Sequence, residues 1–230
     1  MAKNSLQSMR RELADNLELE GVTVPSSGRL TTLLNRAKDH VVAQLELCNE
    51  GYLTVRKTFT VVAGDASIAL PDGSGADVGC KRVLLINRTD LGCDLPGIVV
   101  PQWQREKHQD TDGFDTVGGG SDIPVMYVEG TTLYFARRGG AVSVMTLVVS
   151  YVGEVVDIAE SDLTATYARV PIEWADLIPC YATVMGIPSS NAAGRSKWVD
   201  IYRDRLQTLE RSVPGRFKTG PLQVQPDDRW

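Results

Sequence analysis

The chain reads as an α+β protein: a helical bundle built from N- and C-terminal helices, with an inserted antiparallel β domain and an extended C-terminal arm. Three observations predict it. Apolar residues recur at helical spacing as far as Gly51 and again from Pro171 to Val213. Between Leu53 and Tyr151 they alternate or run in short β-branched and aromatic blocks separated by Gly-containing turns. Beyond Pro214-Gly215 no period survives. The parts are an N-terminal helical hairpin (1–52), the inserted β domain (53–158), C-terminal helices completing the bundle (159–214) and the arm (215–230). There is no strand–helix–strand alternation, which removes the folds whose ligand sites come with the topology.

Leu6, Met9, Leu13 and Leu17, with Arg10, Arg11, Glu12 and Asp15 between them, predict an amphipathic first helix capped by Asn4 or Ser5. Gly21 to Gly28 breaks that pattern. Leu30, Leu34, Ala37, Val41, Leu45 and Cys48 form the apolar stripe of a second helix, antiparallel to the first, which ends at Asn49-Glu50-Gly51. Thr58 to Val62 and Ser67 to Leu70, joined by Ala63-Gly64-Asp65, predict a hairpin; Lys81 to Asn87, carrying Val83, Leu84, Leu85 and Ile86, predicts a buried strand. Ile98 to Trp103 follows a loop, Pro101 opens a short helix from Gln102 to His108, and Gln104 to Asp122 is a polar, Gly-rich excursion. Ile123 to Tyr151 reads as an antiparallel meander turning at Glu129-Gly130 and at Arg137-Arg138-Gly139-Gly140. After an acidic linker, Asp157 to Asp162, Pro171 opens a helix with Trp174, Ile178, Tyr181, Ala182 and Met185 on its buried face and a kink at Pro179. Gly186 to Gly194 is a loop, and Lys197 to Val213 the last helix.

At 230 residues the chain buries enough surface to fold without disulfides. A net charge of −5 argues against a whole-chain nucleic-acid binder. Cys48, Cys80, Cys93 and Cys180 form no CxxC pair and only His40 and His108 join them, so reduced thiols of a cytosolic protein are expected rather than a zinc site. Met1 to Arg11 lacks the apolar core of a secretory signal, and no apolar run approaches the roughly 20 residues of a membrane span.

No motif supplies catalysis. Cys48 and Cys180 lie on or beside apolar helix faces, which makes them core thiols; His40, next to Asp39, is a solvated helix residue. Gly118-Gly119-Gly120 lacks the Lys-Ser or Lys-Thr of a phosphate loop. Asp110, Asp112 and Asp115 alternate like a calcium loop but lack its terminal Glu. No catalytic, cofactor or metal residue is therefore assigned.

Two segments ask for partners. Arg216 to Trp230 is too polar to fold alone yet carries Phe217, Leu222, Val224 and Trp230, apolar anchors that gain order only against another surface. Arg216, Phe217, Lys218, Leu222, Val224 and Trp230 are the candidate partner-binding residues; the plainer reading is a disordered end. Leu222 and Val224, alternating with Gln223 and Gln225, suit addition to a neighbour's sheet edge. From Arg195 to Lys218, basic residues outnumber Asp200, Asp204 and Glu210, which makes either a solvated helix face or a contact for an acidic protein ring or passing DNA.

The order of parts resembles the head-to-tail adaptor, or connector, proteins of short-tailed bacteriophages. The resemblance lies in Leu33-Leu34-Asn35-Arg36-Ala37, Leu70-Pro71-Asp72, the run from Pro124 to Phe135, Val149-Ser150-Tyr151 and Val170-Pro171, and extends to about Val213. Two places depart from the family pattern: Arg137 to Gly140 stands where a Pro-containing turn is expected, and Pro179 interrupts the penultimate helix. The resemblance implies a structural virion protein without catalysis, at the portal–tail junction after assembly in the host cytoplasm. Its implied partners are the portal protein, a tail or nozzle protein and neighbouring copies in a ring of about 12. DNA would pass through the ring without sequence-specific binding, and no membrane is involved. A tail-tube or baseplate component, and a small phage-encoded hydrolase centred on Cys180 or an acid pair, are the competing readings.

Overall fold

The computed structural model describes residues 4–73, 77–90, 95–99, 125–135 and 144–212. It is an α+β structure of helices and antiparallel sheets, and the chain divides into two compact units. One comprises Met1–Tyr52 with Val156–Trp230; the other is Leu53–Val155.

In the first unit, α1 (Leu6–Leu19) starts at Ser5, whose Oγ accepts from the Ser8 N–H at 3.3 Å, and buries Leu6, Met9, Leu13 and Leu17. The second helix, α2 (Ser27–Asn49), begins three residues before the apolar stripe, taking Gly28 into its first turn. It buries Leu30, Leu34, Ala37, Val41 and Leu45, as the helical spacing demands. Both helices pack on α4 (Leu177–Gly186), a helix with polar surface on almost no side. Leu177, Ile178, Cys180, Ala182, Thr183 and Val184 are all buried there, while Tyr181 and Met185 are half-buried.

Pro179 does not kink a helix. The chain instead forms two, α3 (Ile172–Ala175) and α4, separated at Asp176. A proline clashes with the carbonyl four residues earlier, here Ala175, the last residue of α3; in the first turn of α4 its missing N–H removes no helical hydrogen bond.

The last helix, α5 (Ala192–Ser212), starts five residues earlier than the apolar pattern, because Asn191 Oδ1 accepts from the Gly194 N–H at 3.0 Å. Glu20, just past α1, holds that end: Lys197 Nζ donates to its Oε1 at 2.7 Å and Trp198 Nε1 at 3.0 Å. The acidic linker is likewise pinned. Asn35 exchanges two 3.2 Å hydrogen bonds with the Ile158 backbone and accepts from Tyr167 Oη at 2.8 Å. Arg10 donates to Thr31 Oγ1 at 2.8 Å and to the Glu160 carbonyl at 2.9 Å.

Among the described residues of the second unit, eight strands form two four-stranded sheets. They are β1 (Thr54–Val61), β2 (Ser67–Ala69), β3 (Cys80–Arg88), β4 (Leu95–Pro96), β5 (Ile98–Val99), β6 (Val125–Glu129), β7 (Thr132–Phe135) and β8 (Met145–Gly153). Strand order is β1-β8-β3-β4 in one sheet and β2-β7-β6-β5 in the other. Val61, Ile86, Leu147, Val149 and Tyr151 of the first meet Met126, Leu133 and Phe135 of the second in one core.

This corrects the expected hairpins. The β6–β7 turn forms, with Gly130 at φ 59°, but β8 leaves that sheet and pairs with β1 and β3, so Ile123 to Tyr151 is not one meander. A two-residue turn forces its flanking strands together; the longer connection over residues 136–143 imposes no such pairing. Ala63-Gly64-Asp65 is a corner rather than a hairpin: β1 pairs with β8 and β2 with β7. The strand at Val83 to Ile86 is only partly buried. Register shifts between Cys80 and Arg82 and between Val83 and Leu85 turn Leu85 outward, 43% exposed, while Ile86 is fully buried. The β5–β6 pair is parallel, an exception to the antiparallel pattern. The expected helix at Gln102 to His108, the Gln104 to Asp122 excursion and the Arg137 to Gly140 turn lie outside the described residues.

Candidate functional site

The candidate partner-binding residues Arg216, Phe217, Lys218, Leu222, Val224 and Trp230 lie outside the described residues, as do Asp110, Asp112, Asp115, the Gly118 to Gly120 run, His108 and Cys93. Two described features are left to carry function: a cleft in the helical unit and a strand edge in the β unit.

The cleft has a volume of about 460 Å³ and opens between α1, the α3–α4 junction and α5. Glu12, Glu173, Asp176 and Asp204 line it with Arg205, over a floor that includes Leu177 and Leu209. Its acids come from three separated places in the sequence, so no single spacing announces them. Among the described residues no group of three His, Cys, Asp or Glu is arranged to hold a metal ion. Arg205 belongs to the basic stretch read from the sequence and is here set among carboxylates; Lys197 of the same stretch is paired with Glu20. Arg195, Lys197, Arg203, Arg205 and Arg211, the cations of α5, are all exposed.

Cys180 and Cys80 are poor nucleophiles. Cys180 is fully buried, and burial pushes its thiol up to about 11 despite the opposing effect of Arg205. Burial also raises Cys80, and Cys48 Sγ sits 3.6 Å from Glu210 Oε1. His40 is not a solvated residue: it lies half-buried with its ring stacked on Tyr181, centroids 4.0 Å apart at 6°, and tilted against Tyr202 at 5.8 Å. Helical neighbours three or four residues away do not reveal such a contact, because both tyrosines come from distant helices. Burial lowers its proton affinity.

The strand edge is β1. It pairs with β8 on one side, and on the other no strand lies among the described residues. Its pattern splits by face: Val55, Phe59 and Val61 pack on the core, whereas Arg56, Thr58 and Thr60 are exposed. Lys57 pairs with Asp77 and lies 5.5 Å from the centre of the Phe59 ring. At the other end of the sheet Arg88, almost fully buried, forms a bidentate pair with Asp90 at 2.8 and 2.9 Å. That guanidinium, with help from the Thr146 N–H, holds the Asp90 carboxyl down at about 2. Both are structural groups: the carboxylate is consumed by Arg88 of β3 and the Thr146 N–H of β8.

No protein-family model matches the sequence, and no curated protein matches it. No helix among the described residues is long and apolar enough to cross a membrane.

Proposed function

We propose that this chain is a structural virion protein, a head-to-tail adaptor whose copies form a ring between portal and tail, and that it has no catalytic role. The observation that carries this reading is the order of parts. Residues 1–52 and 156 onward belong to one compact unit and 53–155 to another. That is the order of a helical bundle interrupted by a β domain, on which the resemblance to adaptors of short-tailed phages rests. In this reading the helical unit contacts portal or neighbours and the segment after Ser212 is the docking arm, with Arg216, Phe217, Lys218, Leu222, Val224 and Trp230 as its contacts. About twelve copies close a head-to-tail ring, and DNA passes through it. The buried Cys180 thiol weighs against the hydrolase alternative.

Counting and locating copies in imaged particles tests the proposal. One layer of about twelve copies at the portal vertex is the expected result. Stacked repeats of the ring would move the protein to the tail tube or baseplate. Absence from particles, together with an enzymatic activity that Cys180→Ser removes, would replace the proposal with the hydrolase.

A further inference from the structure

The outer edge of β1 has a defined hydrogen-bonding phase. Thr146 of β8 sits opposite Thr60, yet it spends both backbone groups on the other side: its N–H donates to Asp90 Oδ1 at 3.2 Å and its carbonyl accepts from the Thr89 N–H at 2.9 Å. In an antiparallel ladder the two backbone groups of a residue point the same way. Thr60 is therefore a non-hydrogen-bonded partner of Thr146, and its own N–H and C=O point away from β8. The β1–β8 register runs without a shift, so those of Thr58 and Arg56 point outward as well. The edge ends at Val62, whose backbone N–H and C=O are both taken by Asp65.

One stretch of this chain matches that edge. Leu222-Gln223-Val224-Gln225 lies between Pro221 and Pro226 and is followed by Asp227-Asp228. Laid antiparallel with Leu222 opposite Val61, it places Val224 opposite Phe59 on the core face, Gln223 and Gln225 opposite the exposed Thr60 and Thr58, and Asp227 opposite Arg56. Gln223, Gln225 and Asp227 then meet the three residues whose backbone groups point outward. Pro226, which has no N–H to give, falls opposite Lys57, where none is needed, and Pro221 falls opposite Val62, beyond the ladder. Shifting the register by one residue would turn Leu222 and Val224 to water and put Pro226 at a hydrogen-bonding position.

We propose that the β1 edge is the docking site for the Leu222–Asp227 segment of a second copy of this chain. The inference rests on reading the tail as a docking arm and names its receptor as a sibling subunit. Nine residues lie between Ser212 and Leu222, a reach of up to about 35 Å over the ten steps of chain, enough to pass to a neighbour. Charge complementarity favours the tail over a second β1: the tail brings Asp227 and Asp228 beside Arg56, where a second β1 paired about Thr58 would bring Thr60. The contact is heterologous, edge to tail, and so propagates around a ring.

The test is amide hydrogen exchange on full-length chains. Isotope-labelled Asp227→Lys protein, its own tail disabled, is mixed with excess unlabelled wild type. The expected result is exchange slowed at least tenfold at Arg56, Thr58 and Thr60 but not at Lys57 or Phe59, already paired with β8, with the protection rising with wild-type concentration. An unlabelled Asp227→Lys partner in place of wild type, which sets Lys against Arg56 in every pairing, should remove the effect. No protection at any concentration overturns the proposal, as does protection in wild type alone that is independent of concentration, which would mean that each chain binds its own tail. The adaptor reading fails separately: exchange protection without a ring at the portal vertex keeps the docking site and discards the adaptor.

Discussion

Tyr202 carries the clearest single-residue prediction. Its ring is buried against Tyr181 and near His40, and its hydroxyl has no hydrogen-bond partner among the described residues. A buried hydroxyl in that state opposes folding, so Tyr202→Phe should stabilise the protein by about 0.5–1 kcal/mol, read as a higher denaturant midpoint at constant slope. His40 beside it gives a pH dependence. Burial holds its proton affinity below the ordinary value, so the unfolded chain binds the proton more tightly. The stability it contributes is complete above about pH 6.5 and is lost as pH falls through the lower folded value. His40→Phe, which keeps an aromatic ring on Tyr181 and cannot charge, should be destabilised less than wild type between pH 7 and pH 5, measured by melting at matched ionic strength. None of this was legible in the sequence. His40 looked solvated because only its own helix could be examined, and its partners lie on α4 and α5, more than a hundred residues away.

At the scale of elements, the helical faces were legible and the sheet partners were not. Leu6, Met9, Leu13 and Leu17, and the α2 stripe from Leu30 to Leu45, are buried because a 3.6-residue period names its face whatever the neighbour. A strand's period of two names its faces but not its partner, and so β7 and β8, adjacent in sequence, could be separated into different sheets unseen. Helix packing also has a tight point that no pattern announces. A Cβ at Gly186, the last residue of α4, would lie 2.9 Å from Leu17 Cδ2 and 3.6 Å from Leu33 Cδ1. Leu17 is fully buried and has nowhere to go. Gly186→Ala should therefore destabilise by about 1–3 kcal/mol through overpacking, even though alanine gains about 1 kcal/mol in helix propensity. Equilibrium unfolding checks the sign, and a more stable variant would mean that α1 and α4 can separate at no cost.

For the whole molecule, the balance of forces at the β1 edge bears on when copies assemble. Three paired residues give a handful of hydrogen bonds, each worth about 0.5–1.5 kcal/mol net, against an association cost of at least about 4 kcal/mol and the ordering of ten or more tail residues. That sum favours separate chains in dilute solution. In the proposed adaptor, neighbours held side by side on a portal would face one another at an effective concentration on the order of millimolar, and the same contact would then close. The isolated protein should accordingly sediment as a species of 25.1 kDa, or as a weak, concentration-dependent associate, with no closed ring. Deleting Arg216 to Trp230 should leave its melting temperature unchanged, because a polar segment without an apolar period has no core face to lose. The same deletion should abolish incorporation into particles. A stable ring of purified wild type in mass photometry would refute the first expectation, and a large fall in melting temperature on deletion would make the tail part of the core. In the proposed adaptor, assembly gated in this way would keep rings from forming away from the portal, where a closed ring would have no vertex to join.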